Sequence, residues 1–188
     1  EGRGVLFRET LAVIRKVLAE EFPIVRSTYG PLFGTADLVP KPVGRLPIIV
    51  TGSSRQGLEW IAEHSDGWIT YPRSIAQQAE VAARWRDAVK AVAPGAFKPF
   101  AQSFYVDLSD DPDEPPRPIR LGIRGGRHAL VRLLDELRSV GVNHVILNLK
   151  YGARDAAEVL DEIGQEVLPQ LDSSQQTASE RTPSLSRK

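Results

Sequence analysis

The chain has no cysteine and no methionine among its 188 residues. Without cysteine there is no disulfide framework, no thiolate metal site and no cysteine nucleophile, and the chain suits a reducing cytoplasm. With no methionine and with Glu1 in front, it reads as less than a complete initiated gene product. Net charge is absent too: 24 basic residues offset 24 acidic ones. That balance argues against a nucleic-acid footprint. The sequence also lacks an apolar run of membrane length and a signal-peptide pattern, so no membrane is expected as a partner. Its hydrophobic content of 41% is enough for a sizeable core.

The densest signal lies at Leu46-Pro47-Ile48-Ile49-Val50-Thr51-Gly52-Ser53-Ser54. Ile48, Ile49 and Val50 read as a strand buried on both faces. Gly52 lets the chain bend and removes a side chain from the path of a ligand. Ser53 and Ser54 add hydroxyls to the free N–H groups of a helix expected to begin near Arg55, where the helix dipole favours an anion. A plain strand-to-helix turn with Ser54 as N-cap is the alternative. Downstream, Leu58 to His64 reads as a short helix, Asp66-Gly67 as a turn and Trp68 to Tyr71 as a second strand closed by Pro72-Arg73. Strand, turn, helix and strand in that order make a parallel unit.

Thr51 to Arg73, read whole as TGSSRQGLEWIAEHSDGWITYPR, resembles the luciferase-like monooxygenase superfamily, in particular its luciferase-type flavin oxidoreductases. Leu133 to Leu149 is similar to the final helix-to-strand step of that barrel, and Ala157 to Pro169 to its closing helix. The resemblance implies an α/β fold of TIM-barrel-type (βα) units, the last four strands of an eight-stranded barrel, with the first four missing. It implies reduced flavin mononucleotide (FMN), or in one branch a deazaflavin, as cofactor, and oxidation of a small organic substrate, in many members with oxygen. Such a cofactor carries the redox chemistry, so no nucleophile or triad is required. Gly52, Ser53 and Ser54 match the family's phosphate-binding turn. Arg55 is a candidate for added charge there, against the alternative of a solvated arginine. Trp68, Tyr71 and Arg73 are expected at or just beyond a strand's C-terminal end, where barrel active sites form, with Tyr71 as a pocket candidate weighed against simple packing.

Other elements follow from periodicity. Phe7, Leu11, Ile14 and Leu18 share a face of a helix over about 5–21, and a Pro- and Gly-punctuated connection runs to Arg45. Ala82, Trp85, Val89 and Val92 mark a helix over about 74–92, and Phe100 to Val106 a third strand. Leu130, Leu133, Leu134 and Leu137 face one way on the next helix, and His144 to Leu149 is the fourth strand. Val159, Leu160, Ile163 and Val167 mark the last helix. The folded domain is expected over 1–171, with a Ser-, Gln- and Thr-rich disordered tail from Asp172.

Three further features carry less. The glycines from Gly122 to Gly126 read as a flexible lead-in to a helix more simply than as a second phosphate cradle. Asp107, Asp110, Asp111, Asp113 and Glu114 lack calcium-loop spacing and read as a solvated loop. His64, His128 and His144 show no metal-ligand spacing. Two function classes remain: a flavin- or deazaflavin-dependent oxidoreductase, and a non-catalytic half-barrel or interaction module. In either case the open sheet edges predict a homo-oligomer or pairing with a missing half-barrel.

Overall fold

In the computed structural model, residues 2–171 are described, and helices and strands are interspersed along them. The tail expected from Asp172 lies outside the described residues. The described residues form two compact units, one of residues 2–68 and 87–98 and the other of residues 69–86 and 99–171.

The first unit opens with α1 (Gly2–Ala19), followed by β1 (Ile24–Ser27) and β2 (Gly30–Phe33). These two strands form an antiparallel hairpin inside the stretch expected to be a connection only. Glu9 of α1 fastens it, accepting from the N–H and the hydroxyl of Thr28 at 2.5 and 2.6 Å. Next come β3 (Ile49–Thr51), α2 (Leu58–His64) and β4 (Gly67–Thr70), along which the division between the units falls. Val50 is buried, but Ile49 is 37% exposed, so β3 is covered on one face and not on both. Asp66 ties the starts of β3 and β4 together. Its N–H donates to Ile48 O at 2.8 Å, and its carboxylate accepts from Ile48 N–H at 2.7 Å. On α1, Leu11 is buried while Ile14 is 45% exposed, so the expected four-residue apolar face is only partly covered.

The second unit holds most of α3 (Ile75–Val92), then β5 (Phe100–Leu108), β6 (Arg117–Ile119), β7 (Gly122–Gly125), α4 (Arg127–Ser139), β8 (His144–Asn148) and α5 (Ala156–Glu162). A π-helical segment, Ile163–Val167, continues α5. β8 runs parallel to β5 along Ala101–Tyr105, and β7 runs parallel to it along Tyr105–Leu108. β6 folds back antiparallel on β7. The glycine-rich lead-in is therefore a strand: Gly122 lies so close to the Tyr105 backbone that no side chain fits there. Trp85, Phe100, Phe104, Val106, Leu108, Leu130 and Leu137 are buried in this unit. Val159, Ile163 and Val167 are buried one turn apart, whereas Leu160 is 60% exposed and stands outside the expected core stripe. Asp155 caps α5, accepting from the N–H groups of Ala157 and Glu158.

Candidate functional site

The chain leaves β3 at Thr51 through a turn with three left-handed residues, Gly52 (φ 62°), Ser54 (φ 48°) and Arg55 (φ 58°). Glycine takes that conformation freely, but serine and arginine hold it at a cost of about 1–2 kcal/mol each. A residue in the left-handed region cannot begin a right-handed helix. This is why α2 starts at Leu58 with Gly57 as its N-cap, and not near Arg55 with Ser54 as its cap. The serine hydroxyls work inside the turn instead. Ser54 Oγ donates to Thr51 O at 3.3 Å, and Ser53 Oγ accepts from the N–H of Arg55 at 3.4 Å.

Residues not singled out for this role hold the turn. The Trp68 indole N–H donates to Gly52 O at 2.7 Å. The Gln56 N–H donates to Ser53 O at 2.8 Å, and its side-chain amide donates to Ser54 O at 3.1 Å and to Gly4 O at 2.8 Å. Gly4 is the point where α1 meets the turn, since an added Cβ would lie 3.3 Å from Arg55 O. Trp68 is the second residue of β4, so its role is to brace the turn and not to stand at that strand's end. In front of the turn there is space: a Cβ on Gly52 meets nothing within 4 Å. Among the described residues no acceptor faces the N–H of Ser53 or Ser54. A groove of about 280 Å³ runs from Ser54 between α1 and β3, lined by Phe7, Leu11, Ile14, Val50 and Thr51.

Tyr71 belongs to the second unit, and Gly52, Ser53, Ser54 and Arg55 belong to the first. It follows β4 directly, is 58% exposed, and lines a cavity of about 90 Å³ with Ser103, Tyr105, Leu121 and Asn148. Tyr105 packs on Tyr151 with ring centroids 4.7 Å apart, and the Lys150 ammonium lies 5.5 Å from the Tyr151 ring. Arg73 does not enter this lining; it donates to Tyr71 O at 2.9 Å and to Gln78 Oε1 at 3.3 Å.

The acidic stretch beyond β5 is an ion-pair network and not a merely solvated loop. Arg124 reaches Asp107 at 2.8 Å and Glu114 at 3.1 Å, and His128 reaches Asp113 at 2.8 Å. Burial pushes the Asp107 carboxyl up, but the hydrogen bonds from Arg124 and from Ala153 N–H outweigh it, so its pKa lies below the ordinary value. Glu162 is likewise held low against burial, by Arg154 at 2.6 Å and Arg127 at 3.1 Å. Gly126 closes the second suggested phosphate cradle: a side chain there would run into the carbonyls of Asp111 and Pro112, so the backbone is already covered. Among the described residues no cluster of three metal-ligating side chains occurs.

The run β3, α2, β4, α3, β5, with β5 parallel to β7 and β8, is that of an α/β protein of the TIM-barrel type. The model of the luciferase-like monooxygenase family matches residues 1–171, and the chain belongs to that family. No curated protein sequence matches it. Among solved structures it is similar to an F420-dependent secondary alcohol dehydrogenase in complex with an F420–acetone adduct (TM-score 0.65, 14% identity, 86% of this chain and 59% of that one). It is also similar to the coenzyme F420-dependent tetrahydromethanopterin reductase of Methanopyrus kandleri (TM-score 0.66, 16% identity, 87% and 62%). DmoA from Hyphomicrobium sulfonivorans is a third (TM-score 0.52, 16% identity, 80% and 46%). At these identities the likeness is one of fold, and the chain spans about three fifths of the length of the two F420-dependent enzymes. Among the described residues no helix is long and apolar enough to cross a membrane.

Proposed function

We propose that this chain is the phosphate-binding part of a luciferase-like oxidoreductase that takes reduced FMN and oxidises a small organic substrate with oxygen, in the cytoplasm. The observation that carries this reading is the turn at Gly52–Arg55. Left-handed backbone at Ser54 and Arg55 persists because Trp68 and Gln56 hold it from two sides, and strain maintained in that way clusters at ligand sites. The residues fit a phosphate. The space over Gly52 is open, the amides of Ser53 and Ser54 meet no protein acceptor among the described residues, and Arg55 supplies positive charge. The bound flavin would supply the redox chemistry, and the chain's own residues bind and orient it. Tyr71 and Tyr105 offer flat apolar walls at the second-unit cavity, with Ser103 and Asn148 as polar partners.

Deazaflavin is the second reading for the same turn, favoured by the F420 dependence of two of the similar enzymes. Calorimetric titration of the chain with FMN, F420 and riboflavin tests both. The turn reading expects the phosphate-bearing ligands to bind at least about tenfold more tightly than riboflavin, and whichever of FMN and F420 binds more tightly is the cofactor. Binding of none of the three contradicts the enzyme reading and favours a non-catalytic interaction module.

A further inference from the structure

Gln78, in the first turn of α3, has no exposed surface. A buried amide is costly unless every polar atom finds a partner. Here each does. Its Nε2 donates to Gln102 Oε1 at 2.6 Å and to Thr70 Oγ1 at 3.3 Å, while its Oε1 accepts from Arg73 Nη1 at 3.3 Å. Gln102 and Thr70 are themselves 3% exposed. The chain of bonds ends on one atom, the Tyr71 carbonyl, which accepts from Arg73 at 2.9 Å and from the Thr70 hydroxyl at 3.5 Å. A leucine of similar size would fill the same space without these demands, so the network's contribution is directional: it fixes the backbone where β4 ends.

We propose that Gln78 is a positioning residue which, through Arg73 and Thr70, fixes the carbonyl of Tyr71 and so sets the Tyr71 ring at the cavity it shares with Ser103, Tyr105 and Asn148. Its relevance to catalysis rests on the reading of Tyr71 as a pocket residue; the positioning itself does not. The chain has four tyrosines, so the full chain labelled with 3-fluorotyrosine gives four fluorine resonances, each assigned by a Tyr→Phe variant. In Gln78→Leu the Tyr71 resonance shifts or broadens while that of Tyr29 stays in place. Arg73→Ala, an exposed position that tolerates truncation, moves the same resonance, and it decides the matter if Gln78→Leu does not fold. A Tyr71 resonance unmoved in every folded variant overturns the proposal. FMN titration of the same variants separates the two ideas. A shifted resonance with FMN affinity about tenfold weaker supports both. A shifted resonance with unchanged affinity upholds the positioning and removes Tyr71 from the pocket.

Discussion

The indole N–H of Trp68 donates to the carbonyl of Gly52 over 2.7 Å, joining the first residues of β4 to the turn that follows β3. Without this bond, left-handed Ser54 and Arg55 would rest on Gln56 and on the turn's own serine hydroxyls. Trp68→Phe keeps the apolar body and removes the donor. It is expected to cost about 1 kcal/mol of stability and to weaken FMN binding more than riboflavin binding, measured by thermal unfolding and titration.

Gly52 has a positive φ and open space above it. In Gly52→Val the added Cβ meets nothing within 4 Å, but the side chain strains the backbone by about 1–2 kcal/mol and fills the approach to the turn. A modest fall in Tm together with loss of FMN binding is the expected pair of results. Unimpaired FMN binding would show that the ligand does not approach the turn there.

Acid acts on the second unit through Asp107 and Glu162. Both carboxyls are held below their ordinary pKa in the folded chain, against burial, by Arg124 for one and by Arg154 and Arg127 for the other. A depressed folded pKa gives stability that is present above the unfolded value and is lost as pH falls through the folded one. Tm should thus decline below about pH 4.5. Glu162→Gln should lower Tm at pH 7, by about 2 kcal/mol of stability, and flatten that acid limb, as read from thermal melts across pH.

β8 pairs with β5 on one edge, and among the described residues no strand pairs with the other. Ile146 on the same strand is 40% exposed. Unpaired backbone groups beside an exposed apolar side chain seek a partner, so the chain is expected to self-associate at micromolar concentration. Sedimentation showing one stable monomer across that range would contradict this.

Periodic apolar residues made α2, most of α3, β5, β8 and α4 legible in the sequence, because burial on one face dictates both the element and its spacing. The hairpin of β1 and β2 was not legible: Pro31 sits inside β2 and demotes a strand signal, and the pairing is secured by Glu9 on another element. β7 was hidden for a similar reason, since glycines that read as flexibility in fact allow its backbone to lie close against Tyr105. At the candidate site, Gly52 was readable from its type. The left-handed turns at Ser54 and Arg55 were not, because nothing in a serine or an arginine announces a positive φ. The bracing by Trp68, Gln56 and Gly4 depends on contacts up to 52 residues apart in sequence.

The most direct test of the central claim is a titration of the wild-type chain and the double variant Ser53→Ala, Ser54→Ala with FMN and with riboflavin, which lacks the phosphate. A phosphate that draws both hydroxyls away from Thr51 O and the Arg55 N–H predicts FMN binding weaker by roughly a hundredfold in the double variant, with riboflavin binding unchanged. Equal weakening of both ligands, or of neither, would mean that the Gly52–Arg55 turn is structural and binds no phosphate.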